Sequence, residues 1–460
     1  MQRSGAGAAY LNIFHWDVEE FLDAKKINAD EKSRMQTLSI GLNVPDKFFE
    51  LVKENKPMYI FAPHTIFKEY GKNFNEIDFD IMYEELVANP NIKKKMIDSR
   101  KLLTNITRTQ FESGYPYLVF ISAANNGNPL KGVGRIKMSN LCTEIFQVQE
   151  TSTINDYDDQ DEIRRDISCN LGSLNITNVM EQKSIKETVL TAIKALTAVS
   201  DLTNISNAPG VRKANNELHS VGLGALNLHG YLTKNKIAYE SEFAKEFVRT
   251  FFMMVNFYSI QASMEIAKER NETFVGFEKS EYADGTYFIK YINKEYLPTS
   301  DKVKALFEGM EIPTKEDWYK LATEVKKHGL YNAYRLAIAP TQSIGYIQNA
   351  TASVLPVVDL VERRTYGNAT TYYPMPYLEP TNMFFYKSAY NMDMMKLIDI
   401  IAEIQEHVDQ GVSMTLYVDS NTSTRTLGRY YAYAHHKGLK SLYYTRTKNL
   451  AFSECETCSV

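Results

Sequence analysis

An α/β architecture is predicted for this 460-residue chain, and three observations predict it. Segments of helical period alternate with short β-branched or aromatic runs along the whole length. Most of these runs are bounded by Gly, Pro, Asn or Ser, and long amphipathic stretches lie between them. The composition agrees with an ordered globular protein. Hydrophobic residues make up 44% and charged residues 23%, and 30 Tyr supply much of the aromatic content, enough to bury a large core without disulfides or metals.

In chain order, the first feature is Arg3-Ser4-Gly5-Ala6-Gly7-Ala8-Ala9, which reads as a flexible Gly-rich loop with no element before it to anchor it. As a nucleotide fingerprint it is weak, since no strand precedes it. Asp17-Val18-Glu19-Glu20 reads as an N-cap opening a helix. Strands are expected at 37–43, 58–62, 117–122, 335–339, 412–418 and 440–444. Helices are expected at 184–204, 241–270 and 394–407. In the longest of them Phe243, Phe247, Phe251, Met254 and Tyr258 recur every three or four residues, a stripe that reads as core. The acidic stretch at 155–161 reads as a solvated turn. There is no internal repeat, Pro-rich linker or low-complexity tract.

Several function classes are disfavoured. Fifty-two basic and 56 acidic side chains give a net charge of −4, which provides no basic field for nucleic acid. Apolar runs such as 251–255 are far shorter than the roughly 18 to 20 residues that span a bilayer, so no membrane segment is expected. The N-terminus lacks the apolar core of a secretory signal, and the four cysteines are too few for a disulfide framework. A cytoplasmic chain is expected, and no metal site, because the eight His show no ligand spacing with the thiols.

Chemistry is suggested at four places. In Ser139-Asn140-Leu141-Cys142-Thr143-Glu144-Ile145 an amide, a thiol and a carboxyl stand at i, i+2 and i+4, and in an extended segment they would share one face. A buried filler is the plain alternative for Cys142. Ser168-Cys169-Asn170-Leu171-Gly172 follows, and the chain ends on Cys455-Glu456-Thr457-Cys458. That CxxC suits dithiol exchange on a mobile tail better than half a zinc site. Tyr443-Tyr444 closes a β-like run, where ordinary strand propensity is the alternative. Pro340-Thr341-Gln342-Ser343-Ile344 is a hydroxyl-rich turn that could present N–H groups and hydroxyls to a phosphate, or simply cap a helix.

Taken together, SNLCTEI, SCNLGSLNI, APTQSIGYIQNATAS, KSLYY and the terminal CxxC occur in the order of the large, catalytic subunit of class I ribonucleotide reductase. The chain resembles that family over essentially its whole length, and RSGAGAAYL and CETCSV look most like the class Ib branch. The resemblance implies a ten-stranded α/β barrel of two five-stranded halves. It implies reduction of ribonucleoside diphosphates to deoxyribonucleoside diphosphates by a thiyl-radical route.

By the same resemblance, Cys142 is the thiyl cysteine, Glu144 the carboxylate that takes the 3′-hydroxyl proton, and Asn140 the amide that orients substrate. Leu141, Thr143, Ser168 and 340–344 line the substrate. Cys169 is one half of the reducing dithiol, Tyr443 and Tyr444 are stacked relay tyrosines, and Cys455 and Cys458 form the shuttle on the tail. Arg3, Ser4, Gly5, Ala6 and Gly7 match the latter part of the specificity loop. The chain itself is expected to bind no metal. A dinuclear metal and a tyrosyl-type radical would come from a small subunit, electrons from a thioredoxin- or glutaredoxin-type protein, and dNTP or ATP effectors would bind mainly elsewhere.

The departure from the family is at the start. A full-length large subunit carries roughly 250 to 300 further residues there, about two domains. These would hold the helical domain, the first barrel strands and the thiol that pairs with Cys169. The expectation is therefore a truncated piece or one product of a split gene, partnered by the N-terminal part, with the assembled large subunit a homodimer. Within the chain, 1–436 would be partial barrel, 437–450 the tyrosine segment of that barrel, and 451–460 the redox tail. The competing reading is a catalytically silent remnant that serves as a binding scaffold for those subunits.

Overall fold

The structure, a computed structural model, describes residues 5–26, 34–35, 37–155, 160–203, 205–366 and 369–448. It is α/β, and the chain divides into two compact units. The first comprises 1–126, 136–146 and 413–460, the second 127–135 and 147–412.

In the first unit, β1 (Ala8–Asn12), β2 (Ser39–Val44) and β5 (Tyr117–Phe120) run parallel, with β11 (Ser441–Leu442) antiparallel on the edge of β5. All six residues of β2 are buried, as expected of a parallel strand covered on both faces. A second pair, β3 (Pro57–Phe61) and β4 (Lys94–Asp98), is antiparallel and packs over a ring cluster in which Phe14 lies 5.1 Å from Phe79 and 5.0 Å from Tyr83. Helix Ser99–Ser113 begins where the Asp98 carboxylate accepts from Arg100 N and Lys101 N, and it packs on helix Thr424–His436. Next to it β10 (Leu416–Val418) pairs in parallel with β12 (Thr445–Thr447). Tyr443 N to Met414 O at 2.8 Å extends this pairing toward residue 413.

In the second unit, β6 (Leu171–Asn175) and β7 (Gly222–Leu226) are parallel. Single parallel bridges at Leu223–Leu336 and Ile338–Val412 continue the array across the extended segments 335–339 and 410–412. A Cβ at Gly224 would lie 2.5 Å from the Ala337 carbonyl, so the close approach of these strands requires glycine there. Asp409 accepts from Arg335 N and Leu336 N, each at 2.9 Å, and pairs with the Arg335 guanidinium at 3.1 Å, with both side chains fully buried. Breaking such a pair costs about 3–5 kcal/mol, so it pins one strand segment to the next. Helix Glu242–Arg270, capped by Ser241, packs against Ile185–Leu202, Lys315–His328 and Met394–Gln405. A hairpin of β8 (Val361–Tyr366) and β9 (Ala369–Pro374) completes the unit.

Among the described residues the largest hydrogen-bonded sheet has four strands, and none closes on itself. No helix there is long and apolar enough to cross a membrane. Four expectations need correction. Ala8 and Ala9, expected in an unanchored loop, belong to strand β1, and Gly7 O accepts from Ser39 N at 3.0 Å, because β2 offers a parallel partner. Asp17 occupies the N-cap position of Val18–Asp23 but makes no capping bond with its side chain, since its φ of −94° and ψ of 14° lie outside the extended range. Phe243 is 41% exposed in the first turn of its helix and lies under Lys302 rather than in the core. The 335–339 run is buried and extended but is held by isolated bridges rather than a continuous ladder.

Candidate active site

The residues proposed to carry chemistry in the first unit meet on one turn. Asn140–Thr143 is not extended. Thr143 N donates to Asn140 O at 3.3 Å and Thr143 has φ of 63°, so the shared face expected of an extended segment is replaced by a closed turn. The Asn140 side-chain oxygen accepts from Glu144 N and Ile145 N, both at 3.1 Å, and staples the turn to the chain that follows.

Three hydroxyls from elsewhere in the unit each take one carbonyl of this turn. Tyr10 donates to Asn140 O at 2.6 Å, Ser413 to Cys142 O at 2.6 Å and Ser441 to Thr143 O at 2.8 Å. Cys142 is half-buried, while Thr143 and Glu144 are buried.

Glu144 is 1% exposed, and burial pushes its carboxyl up to about 7, against hydrogen bonds from Asn140, its own main chain and Ser413. The Ser413 hydroxyl is 3.1 Å from Glu144 Oε2. A serine has one proton to donate, so both of its contacts are satisfied together only when Glu144 is protonated and donates to Ser413 Oγ. A carboxyl poised near neutrality can take up and release a proton at working pH.

The Tyr443 hydroxyl points to Cys142 Sγ at 3.8 Å. Tyr444, half-buried, stands beyond it with ring centroids 4.5 Å apart at 69°. The two tyrosines are therefore adjacent as expected but meet edge to face, not stacked, a geometry that aromatic quadrupoles favour. On its other side Tyr443 meets Tyr117 at 4.7 Å, and the Tyr117 hydroxyl donates to Ser39 Oγ at 3.3 Å.

Of the other expected residues, those in the second unit occupy two places. Ser168 is buried, its carbonyl accepting from Gln147 Nε2 at 2.8 Å, and Cys169 is exposed just before β6. Thr341 stands at the N-cap position of the short helix Gln342–Ile347, and its hydroxyl accepts from Ser353 N at 2.7 Å. Pro340, Gln342 and Ser343 are half-buried, and Ile344 is 48% exposed. Of the Gly-rich start, Gly5, Ala6 and Gly7 are described, and Arg3 and Ser4 lie outside the described residues, as do Cys455 and Cys458. Among the described residues no cluster of His, Cys, Asp or Glu could hold a metal ion.

Ser413, Ser441, Tyr10 and Tyr117 were not singled out in the sequence. Ser413, Ser441 and Tyr117 lie in the expected strands 412–418, 440–444 and 117–122 and Tyr10 lies in RSGAGAAYL, but nothing in those segments marks a hydroxyl with a place at the site.

Within this α/β scaffold a thiol thus lies beside a buried carboxyl and a tyrosine pair. The chain belongs to the ribonucleotide reductase large-subunit family: the family described as "Ribonucleotide reductase, barrel domain" matches residues 1–445. It is 55% identical over 459 residues to the ribonucleoside-diphosphate reductase subunit alpha of Bacillus subtilis (strain 168), covering all of this chain and 66% of that protein. It is 43% identical over 477 residues to the subunit alpha of Mycoplasma pneumoniae, covering all of this chain and 66% of the relative. Against the nrdEB subunit alpha of Bacillus phage SPbeta identity is 55% over 319 residues, 69% of this chain and 29% of that protein. The chain thus spans just under two thirds of the length of the first two relatives.

Proposed function

We propose that this chain is the catalytic C-terminal part of a class I, Ib-like ribonucleoside-diphosphate reductase large subunit. It would act with an N-terminal part and a radical-generating small subunit. The observation that carries the reading is the approach of the Tyr443 hydroxyl to Cys142 Sγ on the turn that also holds Glu144 and Asn140, in a chain of this family.

An oxidising equivalent received from the small subunit passes through Tyr444 to Tyr443. The Tyr443 phenoxyl takes the hydrogen atom of the Cys142 thiol, which restores the phenol and leaves a thiyl radical. The thiyl takes hydrogen from the ribose C3′ while Glu144 accepts the 3′-hydroxyl proton, and Asn140 orients the sugar. The 2′-hydroxyl then leaves as water, using one proton from the reducing dithiol. Cys169 and a thiol of the N-terminal part supply two electrons, give their second hydrogen to C2′ and become a disulfide, while Glu144 returns its proton to the 3′-oxygen and Cys142 returns its hydrogen to C3′. Cys455 and Cys458 reduce that disulfide and pass the oxidation to a thioredoxin- or glutaredoxin-type protein. The 340–344 turn takes the substrate phosphates, and effector dNTP or ATP acts through the N-terminal part and the segment at 3–7.

The test is reconstitution of the 460-residue chain with a polypeptide covering the remaining N-terminal third of its relatives and with a small subunit. The assembly should form deoxyribonucleotide and, after one turnover without reductant, a disulfide at Cys169 to the N-terminal part. The chain alone should form no product. Activity of the isolated chain, or a Cys142–Cys169 disulfide as the product of turnover, overturns the reading.

A further inference from the structure

Tyr10 lies in β1, within RSGAGAAYL but outside the residues given a role there, and its ring is packed on two sides. On one side it covers Gly41, its register partner on β2, so closely that a Cβ built there would lie 2.3 Å from the ring. On the other it packs on the cluster of Val119, Ile121, Ala124, Ile136 and Phe146. Such a ring holds its hydroxyl at a fixed point, and that point is 2.6 Å from the main-chain oxygen of Asn140. Burial first, then the nearby Glu144 carboxyl and Cys142 thiol, raise the phenol well above its ordinary value, so the hydroxyl remains a donor throughout the range in which Glu144 titrates.

The position of this contact matters. Cys142 O and Thr143 O are held by Ser413 and Ser441, but Asn140 O, where the turn begins, is held from outside by Tyr10. Its other donor, Thr143 N, belongs to the turn itself and moves with it. Asn140 in turn fixes Glu144 and Ile145 through its side-chain oxygen.

We propose that Tyr10 is a positioning residue for nucleotide reduction: by anchoring Asn140 O to the sheet it sets where the Asn140 amide and the Glu144 carboxyl meet the ribose. This rests on the reductase reading above. A displacement of about 1 Å in a positioned group can cost about a hundredfold in rate. With Ser413 and Ser441 still in place the loss expected from removing Tyr10's hydroxyl is smaller, about tenfold.

Tyr10→Phe keeps the ring, its packing over Gly41 and hence the fold. In the reconstituted enzyme it should lower kcat about tenfold while KM changes less than about threefold, because chemistry needs the alignment more than binding does. In the 460-residue chain itself, hydrogen exchange over 139–146 should quicken about tenfold, since Glu144 N and Ile145 N lose a fixed acceptor. Gly41→Ala, which retains the hydroxyl but displaces the ring, should reproduce both effects. Unchanged kcat, or a lower kcat with unchanged exchange over 139–146, overturns the proposal. If wild-type assembly forms no deoxyribonucleotide, the reductase reading fails, and with it the catalytic part of this role. The exchange measurement still decides whether Tyr10 anchors the turn.

Discussion

The hydroxyl of Ser413 stands 3.1 Å from the carboxyl of Glu144, 269 positions earlier in the chain, and the same hydroxyl reaches the Cys142 carbonyl at 2.6 Å. One proton thus serves two acceptors on the turn that carries the thiol. When Glu144 takes a proton it can donate to Ser413 Oγ, and Ser413 is then free to donate fully to Cys142 O. Proton uptake by the carboxyl is thereby linked to the hold on the cysteine.

Ser413→Ala should consequently destabilise the chain by about 1–3 kcal/mol, the cost of leaving a buried acceptor without its donor. It should also lower kcat in the reconstituted enzyme. Chemical denaturation and steady-state assays check the two effects. A variant as stable and as active as wild type would show that the contact contributes nothing.

Glu144 predicts two pH effects of opposite use. Its folded carboxyl sits at about 7 against an ordinary 4.5, so between these values the folded state holds a proton that the unfolded chain has released. Stability should therefore be greatest below about pH 4.5 as far as this group is concerned. It should fall as pH rises to about 7, by up to about 3 kcal/mol, and level off above. Glu144→Gln should flatten that slope, measured by denaturant midpoints across pH. Activity runs the other way. A base must be ionised, so kcat/KM should rise with pH through about 7, and the Gln variant should lose nearly all turnover. An unchanged stability slope in the Gln variant would remove Glu144 from this account.

Tyr443→Phe and Tyr444→Phe should each abolish turnover while leaving substrate affinity near wild type. Each removes a phenolic proton and keeps a ring of nearly the same volume. Binding titrations alongside product assays separate the two properties. Wild-type turnover by either variant would return that tyrosine to a packing role.

What the sequence made legible follows from what is local. Helix Glu242–Arg270 was readable because its apolar period is written in consecutive residues, and it departs from expectation by one residue at the start. β1, β6 and β7 were not readable. Their sequences, AAYLN, LGSLN and GLGAL, are rich in small residues with low strand propensity, selected by close strand approach such as that at Gly224. At the site, Asn140, Cys142 and Glu144 were legible from their spacing. The turn that joins them was not, since it depends on a left-handed Thr143. The roles of Ser413, Ser441 and Tyr10 left no signal even though their segments were named, because a hydroxyl that holds a distant carbonyl looks like any other hydroxyl until the chain is folded.

The most direct measurement is deoxyribonucleotide formation by the reconstituted enzyme carrying Cys142→Ser. Serine nearly matches cysteine in volume and can keep the turn's main-chain bonds to Tyr10, Ser413 and Ser441, but its O–H cannot take the thiol's place as radical carrier. The account predicts a folded assembly that binds nucleoside diphosphate and forms no product. Deoxyribonucleotide produced by that variant at a rate comparable to wild type would contradict it.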